Sequence, residues 1–198
     1  MSWLRDKLSR PGASASYVGT SSSRPVKLVL VSDMFQHHAA ESLPRDVQGF
    51  VYGLMQSAGL GFDDFPREAV LSAAADFYLA EVANGGHNGF IANLEAYPTT
   101  FEQISEGLAM VGLQDVAAVY AELLAYEAAN PEYSWSTDWQ DPVLQSLDER
   151  LRPITGLAHQ SHANWLKAQS FIRVIPADQY SWKLVLEAYR SGGLSAVH

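Results

Sequence analysis

A chain of 198 residues, 47% apolar and 18% charged, is long enough for one domain with a substantial core or for two very small ones, and too apolar for extended disorder. The absence of cysteine excludes a disulfide framework, a thiolate nucleophile and a cysteine zinc site, and fits a reducing compartment. The formal net charge of -9 speaks against direct nucleic-acid binding, which needs clustered lysine and arginine for phosphate contacts.

Residues 2–9 are compatible with a short helix. The start mixes Arg5, Asp6, Lys7 and Arg10 with few apolar residues and lacks the continuous apolar stretch of a secretory signal. Pro11 to Pro25 is rich in Ser, Gly and Ala without a hydrophobic period, the pattern of a flexible linker. Residues 1–25 are therefore expected to form a flexible arm, and residues 26–198 a helical domain. Val26 to Val31 is β-prone but interrupted by Lys27 and far too short to cross a bilayer. It is either a short strand without an evident partner or part of a helix. A cytoplasmic protein without membrane attachment is expected.

From there the signals are helical. Pro44 stands where a first-turn proline belongs, followed by Val47, Phe50, Val51, Leu54 and Met55 at helical spacing, with Gly59 and Gly61 as the stop. Pro66 opens a second helix, with Val70, Ala74, Phe77 and Tyr78 on one stripe, ending at Asn84-Gly85-Gly86. Thr99 with Glu102, or Thr100 with Gln103, offers a capping box to a helix that turns Phe101, Ile104, Leu108 and Val111 inward and breaks at Gly112. Residues 113–129 give the clearest amphipathic pattern, with Leu113, Val116, Val119, Tyr120, Leu123 and Leu124, stopped by Asn130-Pro131. An aromatic loop over 131–141 carries Tyr133, Trp135 and Trp139, either packed on the core or exposed to a partner. Asp141-Pro142 starts a helix with Leu144, Leu147 and Leu151, and two more follow around 156–172 and 177–191. The fold class expected is all-α: a single multi-helix domain with room for one short N-terminal strand.

Charge is spread unevenly along this chain. From Glu68 to Glu149 there is no lysine or arginine against fourteen acids, a local balance of -14; the remaining residues carry +5. Carboxylates without a local cation give either a solvated surface that favours solubility or a face that attracts basic partners. Glu102, Glu106, Asp115, Glu122, Glu127 and Asp138 are the residues expected to form that protein-binding acidic face.

The segment ending in Asn84-Gly85-Gly86 explains itself as a helix terminus, since either glycine tolerates the left-handed conformation. It is not a nucleotide loop, because no Lys-Ser/Thr and no full Gly-x-Gly-x-x-Gly pattern follows a clear strand. Here the sequence resembles a bacterial family of uncharacterised domains that includes a DNA-mimic protein. Its hallmark is a helix ending in Asn-Gly-Gly, then aromatic residues and a further Asn; Asn84, Gly85, Gly86, Phe90 and Asn93 occupy the matching places. The likeness extends over residues 66 to 190. It departs where the family shows an aromatic after the glycines and then a glutamine, places held here by His87 and Gly89. The resemblance implies an all-helical fold, no established catalysis, and an acidic face that imitates DNA phosphates for a DNA-binding protein.

Two kinds of chemistry compete with that reading. His159 and His162, three apart, share a helical face on which a metal could be held with a carboxylate, but no His-Glu-x-x-His signature accompanies them, and no metal or cofactor is expected. His37-His38, adjacent, point apart. An enzyme centred on the Asn-Gly-Gly turn would use Glu81, His87 and Asn93, with His87 as general base; Asn84 and Asn93 bonded to turn backbone are the simpler alternative. No Gly-x-Ser-x-Gly elbow occurs. The function expected is a non-catalytic acidic protein-interaction module, a DNA mimic or regulator, with a basic partner such as a transcription regulator. A homodimer is left open.

Overall fold

A computed structural model describes residues 26–94, 99–130 and 141–191. The short helix expected over 2–9, the arm over 1–25, Asp138 and the aromatic residues Tyr133, Trp135 and Trp139 lie outside the described residues. The described chain runs β1 (Val29–Ser32), α1 (Ser42–Ala58), α2 (Arg67–Asn93), α3 (Phe101–Val111), α4 (Gln114–Ala129), α5 (Pro142–Leu151), α6 (Thr155–Lys167), β2 (Ile172–Ile175) and α7 (Trp182–Ser191). Short 3-10 turns precede α1 and α2 at Asp33–Gln36 and Phe62–Asp64. No helix among the described residues is long and apolar enough to cross a membrane.

The layout follows from α2. Every residue from Ala69 to Ala80 is buried, so the helix has no solvent face in that stretch and must be enclosed on all sides. Its first turns, with Ala69, Val70 and Ala73, belong to a core shared with β1, α1, α6 and α7. Its later turns, with Phe77, Tyr78 and Val82, belong to a second core built with α3, α4 and α5. The amphipathic helices supply the shells: Ile104, Leu108 and Val111 from α3, Val116, Val119, Tyr120 and Leu123 from α4, and Leu144, Leu147 and Leu151 from α5.

Helix ends obey the expected chemistry. Gly59 and Gly112 close α1 and α3 with φ of 68° and 82°. The capping box at α3 uses Thr100 with Gln103, the second of the two possibilities. Asp141 caps α5 by accepting from the amides of Val143 and Leu144 at 2.8 and 3.0 Å.

Two boundaries differ from expectation. Val29–Ser32 is a strand, fully buried, and it does have a partner: β2 pairs with it in parallel, Val29 opposite Ile172 and Ser32 opposite Ile175. Residues 168–172 therefore leave the helical reading, and α6 stops at Lys167. A crossover of this length leaves no local trace, because the strand's partner stands at the other end of the domain. The final helix begins at Trp182, whose ring lies against Gly53 of α1.

Helix α3 closes on α2 through Gly107, where an added Cβ would overlap the Leu71 carbonyl oxygen and lie 3.3 Å from Ala75 Cβ. Gly49 on α1 has no neighbour within 4 Å of such an atom. Gly107→Ala should cost about 1–3 kcal/mol through overpacking, whereas Gly49→Ala should gain about 0.5–1 kcal/mol from helix propensity. Urea unfolding of both variants checks the pair, and shifts of the same sign would contradict the packing described.

Candidate functional site

The Asn-Gly-Gly segment is a break inside α2. Gly86 has φ 66° and ψ -172°, outside the left-handed helical well and in a region that essentially only glycine populates. The expectation of a terminating left-handed cap is corrected accordingly: the chain swerves at one residue and resumes helical turns to Asn93. Asp148 of α5 holds the swerve. Its Oδ1 accepts from the His87 amide at 2.9 Å and from His87 Nδ1 at 2.5 Å. A carboxylate only accepts, so Nδ1 carries a proton, and Nε2 shares a hydrogen bond of 2.9 Å with the Tyr78 hydroxyl. His87 is buried, as is Phe90, which meets Tyr78 edge-on at 5.1 Å within a cluster completed by Phe77 and Tyr120.

The three residues of the enzyme reading do not converge. Asn93 Nδ2 donates to Glu81 Oε2 at 2.6 Å, a side-chain pair at the surface rather than the backbone bond expected for Asn93. His87 faces inward, with both ring nitrogens engaged by Tyr78 and Asp148. Asn84 is exposed and Gly85 half-buried. A shallow depression lined by Gly112, Asp115, Val116, Ile154 and Leu157 contains none of Glu81, His87 and Asn93.

The acids of the cation-free stretch divide by environment. Asp76, Glu127 and Asp141 are buried, so Glu127 is removed from any exposed face, its position on α4 being turned into the core. Glu106 of α3 pairs with Arg67 at 2.5 Å. Glu122 of α4 takes Arg150 in a two-pronged bond at 2.5 and 2.7 Å, which holds its carboxyl below the usual range. Both pairs are exposed on both sides, and both cations lie just outside the ends of the stretch. Glu68, Glu102, Asp115 and Glu149 are exposed and enter no ion pair among the described residues. Glu102 and Glu106 stand one turn apart on α3, and Asp115 and Glu122 two turns apart on α4.

A third cluster gathers the His159–His162 pair with Ser72 and Asp76, two residues to which the sequence gives no role. Ser72 and Asp76, one turn apart on α2, face α1 and α6. Ser72 Oγ lies 2.7 Å from His162 Nε2, and Asp76 Oδ2 accepts from Arg45 Nε at 3.2 Å. Asp76 Oδ1, His159 Nδ1 and His162 Nδ1 are enclosed without a hydrogen-bond partner. Burial pushes Asp76 up to about 6 in spite of the opposing Arg45 charge. It pushes His162 down to about 3 and lowers His159. The histidines thus lie at a helix interface, and no group of three metal-ligating side chains occurs among the described residues. Ser72 and Asp76 gave no signal because they interrupt an otherwise apolar helix whose partners are distant in sequence.

The family model described as DMP19-like protein matches residues 63–169, more than half of the chain, and the chain belongs to that family. No curated protein and no solved structure matches it. The matched span takes in α2 to α6, with the Gly86 break and all the acids discussed; β1, α1, β2 and α7 lie outside it.

Two outcomes follow. Gly86→Ala forces a side chain into a glycine-only conformation and onto Asp148 Oδ2, and should cost about 2–4 kcal/mol. Gly85→Ala, with nothing within 4 Å, should be neutral or mildly stabilising, and equal losses would contradict the geometry. For pH, the two buried neutral histidines contribute stability that is complete above their ordinary value of 6.5 and is lost as pH falls toward their lowered folded values. Asp76 acts oppositely, its charge penalty being relieved as pH falls from about 6 toward 3.8. His162→Gln should therefore remove about 1 kcal/mol per pH unit of acid destabilisation between pH 6 and 5. Unfolding free energies at several pH values measure the slope, independently of the variant's absolute loss.

Proposed function

We propose that this DMP19-like protein is a non-catalytic interaction module whose outward acidic helices bind a basic surface of a DNA-binding protein, in the manner of a DNA mimic. The observation that carries the reading is the cation-free stretch from Glu68 to Glu149, from which Glu68, Glu102, Asp115 and Glu149 reach solvent without an ion pair among the described residues. Such carboxylates raise the local concentration of cationic partners and steer their approach. Glu106 and Glu122 add to them, because exposed ion pairs are weak, about 0–1 kcal/mol, and a basic partner competes with Arg67 and Arg150 on nearly equal terms.

Spacing supports the same reading. Carboxylates one helical turn apart, as at Glu102 and Glu106, are separated by about 6 Å along the axis. That is roughly twice the axial distance between phosphates of one DNA strand, about 3.4 Å. Resemblance to a bacterial family that includes a DNA mimic points the same way.

The immobilised chain, challenged with cytosol of its own organism, should capture DNA-binding proteins that elute as salt rises and that duplex DNA displaces. The combined variant Glu102→Gln, Asp115→Asn and Glu149→Gln should weaken capture by about fivefold or more. Capture indifferent to salt and to these substitutions would sink the proposal.

A further inference from the structure

Three helices meet at the cluster of Ser72, Asp76, His159 and His162, and the Arg45 side chain runs from it to the surface. Arg45, in the first turn of α1, is half exposed at 50% while Asp76, which it holds, is wholly buried. Packing alone does not call for a carboxylate, a hydroxyl and two imidazoles in this place, since each buried polar atom without a partner costs free energy. Three such atoms, Asp76 Oδ1, His159 Nδ1 and His162 Nδ1, lie in this one interface.

We propose that Arg45 is an acid-released latch: protons taken up by Asp76 and His159 eject its guanidinium from the α1–α2–α6 interface and loosen the first turns of α1. Among the described residues, the Arg45 side chain makes one hydrogen-bonded ion pair, with Asp76. A proton on Asp76 removes that attraction. A proton on His159 places a like charge in the field of the guanidinium. Both events push Arg45 the same way, so the release is steeper than one titration.

The surrounding groups fit this sequence. From the start of α1, exposed Glu41 faces both Asp76 and His159, and its carboxylate favours a protonated His159 and offers the displaced guanidinium a partner at the surface. From α2, Ser72 is engaged with His162 of α6, which burial keeps neutral through the same pH range, so that it adds no charge beside His159. Burial places Asp76 at about 6 and lowers His159 below its ordinary value, so both take up their protons on the acid side of neutrality.

Nitrogen-15 NMR of the full chain, following the Arg45 Nε–Hε signal from pH 8 to 4.5, tests the latch together with hydrogen exchange of residues 43–48. The Nε shift should change with a midpoint near 6 and a Hill coefficient above 1, and those amides should exchange about tenfold faster at the acid end after correction for intrinsic rates. Asp76→Asn should give the released signal at every pH. His159→Gln should move the midpoint down and return the Hill coefficient to 1, and it carries the test if the Asp76 variant does not fold. An Arg45 signal unchanged down to pH 5, or a His159→Gln titration identical to that of the unmodified chain, overturns the proposal.

Discussion

A helix enclosed around its whole circumference carries a polar side chain only where another element brings a partner to it, because an unpaired buried group costs about 1–3 kcal/mol. Helix α2 carries Ser72, Asp76 and Tyr78 within two turns, all buried. Their partners come from three directions: His162 of α6, Arg45 of α1, and His87, which α2 itself turns back through the break at Gly86. The arrangement of α1, α5 and α6 is thus fixed by polar satisfaction as much as by apolar area. Asp148 closes the set from α5, bonding the His87 amide and ring together, so one carboxylate ties the kink in α2 to the neighbouring helix.

That demand bears directly on the acidic character of the protein. A stretch holding fourteen acids and no cation looks in one dimension like a uniformly negative surface. In three dimensions Asp76, Asp141 and Asp148 serve the core, a helix cap and the kink, and Glu127 is turned inward. What is left to face solvent on α3 and α4, with Glu68 and Glu149 at the flanks, is sparser than the sequence suggests and edged by Arg67 and Arg150. The solvent-facing acids are therefore a set of separated carboxylates, some loosely neutralised, whose field is salt-sensitive.

Legibility in the sequence tracked the range of the interaction responsible. Helices α3, α4 and α5 were readable because a capping box, a glycine stop and a proline at the first helical position act within four residues. The pairing of β1 with β2 and the end of α6 at Lys167 were not, since Ile172 meets Val29 only after the whole domain has folded. The same holds for the candidate site. The Asn-Gly-Gly motif marks Gly85 or Gly86 as a backbone exception, yet the conformation that Gly86 adopts is held by Asp148, which lies 61 residues from His87 in sequence. His159 and His162 were noticed as a helical pair; Ser72, Asp76 and Arg45, which give the pair its setting, come from other helices and left no local pattern.

On the proposed reading, α3 and α4 display net negative potential outward despite the ion pairs at Arg67 and Arg150. Solvent paramagnetic relaxation with matched cationic and anionic nitroxides measures this amide by amide, without any partner. The account predicts that amides around Glu102, Glu106, Asp115 and Glu122 relax markedly faster with the cationic probe, and that added salt erases the difference. Equal relaxation by the two probes at low salt would contradict it.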